Sequence, residues 1–243
     1  MDEYAKIASL LQEGKINPDE AEKLLAALDD VEPAPTPVAS GGLLRARVGR
    51  ADLLVRVDPA ASEPRFKSPA ALELELRKEE DGWSLKQKSG GLRVGFFDLL
   101  GKRHGVELTL PPGFSLDLHL GQGKLRVADP LPGLRAKIGQ GSASFATVEE
   151  VDVRLGQGPI EGRARLTSGV HQLGLGMGSL KLTLEKGSDL TLQIKTGMGK
   201  INVGGAIRYA SEKPASRYEG VVAEGRGRLE VSVGMGKVEV EVQ

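Results

Sequence analysis

The chain has no cysteine, which excludes disulfides, thiolate nucleophiles and cysteine-ligated metals and is compatible with a reducing compartment. Aromatic residues make up only 4% of it, leaving Leu, Val and Ile to build a core. Its 33 basic and 33 acidic residues cancel, so no global field exists to hold nucleic acid, and no nucleic-acid partner is expected. No apolar run reaches the length of a membrane-spanning helix, and the acidic N-terminus lacks the basic-then-apolar order of an export signal. These absences predict a cytoplasmic location and no transmembrane segment.

Glycine, by contrast, is plentiful at 33 of 243 residues, and much of it is ordered. Six Gly-x-Gly triplets interrupt alternating apolar and polar residues: Gly121-Gln122-Gly123, Gly139-Gln140-Gly141, Gly156-Gln157-Gly158, Gly176-Met177-Gly178, Gly197-Met198-Gly199 and Gly234-Met235-Gly236. Successive triplets start 18, 17, 20, 21 and 37 residues apart, the last gap being nearly two repeats. Apolar residues bound for one face of a strand sit an even number of positions apart. Across a triplet the offset is instead five, as in Leu120 and Leu125, Ile138 and Ala143, Leu155 and Ile160, Leu175 and Leu180, and Val233 and Val238; Thr196 and Ile201 keep it with a Thr. The chain therefore changes phase once per repeat, as at a corner that needs glycine.

Segments such as Leu116–Leu120, Leu180–Leu184 and Val238–Val242 alternate strictly, the mark of half-buried strands. The pattern predicts a mainly β protein, a parallel β-helix-like solenoid of roughly 17–21-residue repeats preceded by a small two-helix module, with an antiparallel barrel or sandwich as the competing arrangement.

Residues 1–28 read as that helical hairpin. Asn17, Pro18 and Glu20 form an N-terminal cap, and Ile7 and Leu11, then Leu24, Leu25 and Leu28, form apolar stripes too small to be stable alone. They are candidates for contact with a protein partner or for self-association, and a homo-oligomer is expected. Residues 29–42, with Pro33, Pro35, Pro37, Gly41 and Gly42, read as a linker, and 43–243 as the β-strand-repeat domain. Residues 43–110 lack Gly-x-Gly corners and fit either degenerate rungs or a cap.

The segment from Val106 through Pro111-Pro112-Gly113 and Gly121-Gln122-Gly123 to Val127 resembles the strand, proline turn and glycine corner of the bacterial "putative adhesin" β-strand-repeat family, whose function is unknown. Leu11 to Leu25 resembles the short SHOCT-like helical module that precedes such repeats in YvlB-like and LiaX-like proteins. The resemblance implies a β-helix-like repeat domain and, for some members, a link to envelope stress; it implies no catalytic residues.

Nothing local signals catalysis or a cofactor, and neither an enzyme nor a metal or cofactor site is expected. Gly156-Gln157-Gly158 is followed by strand-like alternation where a dinucleotide loop would open a helix, and Gly199-Lys200 and Gly236-Lys237 lack the remainder of a P-loop. His104, His119 and His171 form no close-spaced ligand pair and read as surface residues. Stacking the triplets would align Gln122, Gln140 and Gln157 as a polar column and Met177, Met198 and Met235 as an apolar one, which either packs the corners or, if outside, offers a partner an adaptable stripe. The chain thus reads as a noncatalytic scaffold or interaction protein. The alternative is a cell-wall glycan-binding or glycan-cleaving β-helix, which would carry an acidic or Arg-lined groove. End-to-end polymerisation through Val238–Gln243 is a third reading.

Overall fold

The computed structural model describes residues 41–69, 72–87, 105–213 and 216–243, all within one compact unit spanning Val38–Gln243. Alternation of apolar and polar residues yields fourteen strands in chain order: β1 Leu43–Arg50, β2 Asp52–Val57, β3 Arg65–Lys67, β4 Leu74–Glu79, β5 Gly82–Gln87, β6 Gly105–Leu110, β7 Ser115–Val127, β8 Leu131–Gln157, β9 Ile160–Ala164, β10 Val170–Leu184, β11 Leu190–Gly205, β12 Tyr209–Lys213, β13 Arg217–Val222 and β14 Gly227–Val242. β7, β10, β11 and β14 each bend at a Gly-x-Gly triplet, giving a first arm before the corner and a second arm after it. β8 contains one complete bend at Gly139–Gly141 and starts another at Gly156, which β9 completes.

The five-residue offset has its structural reason at these bends. Leu120, Leu125, Leu175, Leu180, Val233 and Val238 are all buried in one continuous aliphatic core, although they come from opposite sides of a corner. The second glycine of each triplet adopts a φ between 129° and 147°, which an L side chain rarely allows, and this residue switches the phase.

The expectation of a parallel solenoid behind a two-helix module is overturned. The strands form a mixed sheet in the order β12-β13-β11-β14-β10-β9-β8-β7-β1-β5-β4, with β2, β3 and β6 continuing the second arms beside β7. Four pairings are antiparallel: β3 with β6, β4 with β5, β11 with β13 and β12 with β13. No helix occurs among the described residues, and the expected module over 1–28 and the expected linker over 29–42, apart from Gly41 and Gly42, lie outside them. Neighbours also depart from chain order. β14 pairs in parallel with β10 on one side and β11 on the other, so Val238–Val242 is interior and is not the free edge that end-to-end growth would use. The 37-residue gap between the last two triplets, nearly two repeats long, holds the β12–β13 hairpin. Antiparallel hairpins need only tight turns, which suits them to closing the ends of a parallel stack.

Residues 43–110 resolve into both alternatives. β1 and β2 are a bent unit whose corner is Gly49-Arg50-Ala51, pairing with β7 along both arms. β5 and β6 lie outside it, and β3 and β4 add antiparallel edges.

Candidate functional site

The corners of β1–β2, β7, β8, β10, β14 and β11 stand in one column, and their packing explains why they are glycine. A methyl group on the first glycine would lie 2.5 Å from the Gly121 carbonyl oxygen at Gly139, 2.4 Å from that of Gly139 at Gly156 and 2.5 Å from that of Gly156 at Gly176. The column continues through Gly234 against Gly176 and Gly197 against Gly234, at 2.6 and 2.7 Å. At the second position the clash is worse. A methyl would come within 1.7 Å of a neighbouring carbonyl oxygen at Gly123, Gly141, Gly158, Gly199 and Gly236, and within 2.0 Å at Gly178. Backbone thus fills the space on the stacked side of every corner, and only the middle residue of each triplet can carry a side chain.

Those middle residues form a row along the ridge. Arg50 pairs with Gln122, Gln122 with Gln140, Gln157 with Met177, Met177 with Met235 and Met235 with Met198. The ridge therefore begins with a cation, runs through three amides and ends in three thioethers. The methionines do not fill the corners: Met177, Met235 and Met198 are 48%, 45% and 65% exposed. Val170, at the far end of a first arm, is the other exposed large apolar residue among those described. Met235 sits between Met177 and Met198 because β14 is inserted there, an order that the chain direction conceals. Arg50 had no signal in the Gly-x-Gly pattern, since Ala51 replaces the second glycine; the phase shift from Val48 to Leu53, both buried, would have found it.

The histidines part company. His104 lies outside the described residues, and His119 is exposed on the outer face of β7. His171 corrects the surface reading, for it is 2% exposed. Its Nδ1 accepts from Val151 N–H at 3.4 Å and its Nε2 lies 2.8 Å from the Ser168 carbonyl, an arrangement that suits the neutral ring. Burial holds its pKa below the ordinary histidine value.

Asp189 is the other buried ionisable group with a defined task. One of its carboxylate oxygens accepts the backbone N–H groups of Glu224 and Arg226 at 3.0 Å each, and the other accepts from the Arg226 guanidinium. These bonds, the Arg226 backbone contact foremost, hold its pKa below the usual carboxylate range. They also fix the turn at Ala223 and Gly225, both at positive φ, that feeds β14 into the sheet. Among the described residues no group of three or more His, Cys, Asp or Glu is placed to hold a metal ion. Ile7, Leu11, Leu24, Leu25 and Leu28 lie outside the described residues.

No protein-family model matches the chain, and no curated protein matches it. Among solved structures, it is similar to a "putative cell adhesion protein" from Clostridium sporogenes, at 16% identity and a TM-score of 0.48, over 85% of this chain and 94% of that one.

Proposed function

We propose that this chain is a noncatalytic interaction scaffold whose Met177–Met235–Met198 ridge receives a protein partner. The observation that supports it is the exposure of three flexible, polarizable side chains in register on three neighbouring strands. Methionine adapts its shape to an apolar partner surface. The backbone beneath it is fixed by glycines that have no room to move, so little ordering cost falls on the scaffold when a partner binds. Replacing all three methionines with Gln should abolish partner capture from the native cell while leaving the melting temperature within about 2 °C, because no core contact is removed. Unchanged capture by the triple variant would refute the ridge as the binding surface.

Residues 1–42, which include Ile7, Leu11, Leu24, Leu25 and Leu28, are proposed as a second contact, for self-association or for recruiting the same partner. Their removal should alter the sedimentation profile. An envelope-stress setting is the context that the family resemblance implies, and loss of the gene should then change survival under cell-wall antibiotics.

A further inference from the structure

Opposite charges usually alternate across neighbouring strands, because like charges placed side by side repel. One row on the outer face of the first arms breaks that rule. Arg47 pairs with Lys86 on one side and with His119 on the other, and His119 pairs with Lys137. Arg154 extends the row, since it precedes Gly156 by two residues as Lys137 precedes Gly139, and those two glycines adjoin. Lys86, Arg47 and His119 are exposed, and Lys137 and Arg154 half-buried. After Gly174 and Ser232 the same row resumes with Lys195 beside Arg217. No Asp or Glu occupies any position from Lys86 to Arg217 along it; beyond Lys86 the row ends at Glu75, and Glu79 lies 3.6 Å from the Lys86 ammonium.

The adjacent row is mixed in sign: Arg45, Asp117, Arg135 and Asp152. Its carboxylates reach partway toward the basic row, with Asp117 4.0 Å from the His119 ring and Asp152 3.6 Å from Arg154 Nε. Arg154 is held in place as well, its stem lying over Gly174 and its guanidinium donating to Gln172 at 2.9 Å. At about 4.8 Å per strand, the row from Lys86 to Arg154 spans about 19 Å.

We propose that this row binds a linear polyanion, a sulfated or phosphorylated polymer whose repeating charges lie along the strand-stacking direction. Cations standing side by side, Lys86 with Arg47 and Lys137 with Arg154, are the complement of an extended anionic chain, and a row one residue wide suits a single chain. Single-stranded nucleic acid would share the charge, but its binding sites add aromatic residues on which bases stack. Among the described residues none stands in this row or in the rows flanking it over β5, β1, β7 and β8. The proposal is independent of the methionine ridge, which lies on the corners.

The test uses the full chain titrated into fluorescently labelled dextran sulfate, long-chain inorganic polyphosphate, neutral dextran and poly(U), at several salt concentrations. Binding to dextran sulfate or polyphosphate is expected, with log K falling linearly in log salt, and none to neutral dextran. Tighter binding to one identifies the acid group, sulfate or phosphate. Arg47→Glu with Lys137→Glu should weaken binding at least about tenfold and reduce the salt slope by about two. Lys181→Glu with Lys200→Glu makes the same charge change on the second arms and should cost less than about threefold, the contribution of long-range charge alone. Thermal unfolding will show whether the row variant is folded, and Arg47→Gln with Lys137→Gln, which adds no negative charge, should give an intermediate loss. Equal losses in the row and control variants, no binding to either polyanion, or tighter binding to poly(U) than to both would each overturn the proposal.

Discussion

Individual glycines differ sharply in what they tolerate. At Gly141 a methyl would lie 1.7 Å from the Gly123 carbonyl oxygen at a φ of 142°, so neither backbone nor side chain can yield. Gly141→Ala should cost about 3 kcal/mol or more, or prevent folding, as measured by urea unfolding. At Gly187 φ is 94° but nothing lies within 4 Å, so Gly187→Ala should cost only about 1 kcal/mol of backbone strain. Thr196 gives the opposite sign. It occupies the position filled by Leu120 or Val233 in other units, is 6% exposed, and its hydroxyl has no hydrogen-bond partner. Thr196→Val keeps the shape and removes that buried polar atom, and a gain of about 1 kcal/mol in the same measurement is expected. At His171, the unfolded chain takes up a proton near the ordinary value of about 6.5, whereas the folded chain resists it. Stability from the neutral ring is therefore complete above that pH and lost as pH falls toward the lowered folded value. Melting temperature should drop between pH 7 and 5, and His171→Gln should flatten that drop.

Between elements, the turn before β14 decides which strands become neighbours. Asp189, immediately before β11, clamps Glu224 and Arg226 and so delivers β14 alongside it. Because the folded pKa of Asp189 is lowered, its stabilising effect is fully present above the unfolded value, near 4, and disappears as acid titrates the folded carboxylate. Asp189→Asn should lower the melting temperature at pH 7 and lose less of it than the parent between pH 4 and 2. The second arm of β11 shows an element left half-covered. Ile201 and Val203 pair with Val238 and Val240, which are 0% and 2% exposed, yet they are only partly buried themselves. The reason is that β13 and β12 extend the sheet beyond the first arm of β11, while no described strand lies beyond its second arm.

For the molecule as a whole, what the sequence reveals and what it hides divide along a physical line. Leu120 with Leu125, or Val233 with Val238, sit five apart because the chain turns between them, and such a local cause leaves a local trace. Met235 lies between Met177 and Met198 for a reason spread over three strands and a hairpin, and no window of residues holds it. The basic row is hidden for the same reason: Lys86, Arg47, His119 and Lys137 become neighbours only through pairing, and Lys86 precedes its partner's partner His119 by 33 residues. His171 escaped because it falls between an exposed Val170 and a half-buried Gln172, so its residue type argued for solvent while its position pointed inward. A parallel stack in chain order was the simplest assembly of the corners, and the four antiparallel pairings that replace it at both ends are set by turns whose residues carry no repeat.

The late position of β14 in the chain, set against its place between β10 and β11, imposes an order on synthesis. β10 and β11 share no pairing of their own, so a nascent chain released up to Arg226 holds two blocks whose facing edges await a strand that does not yet exist. Until the ribosome has delivered Val242, those edges are open to strands from other molecules. Truncation before Gly227 should accordingly yield a chain that a protease divides between Leu184 and Leu190 and that aggregates, while the same protease leaves that connection intact in the full-length protein.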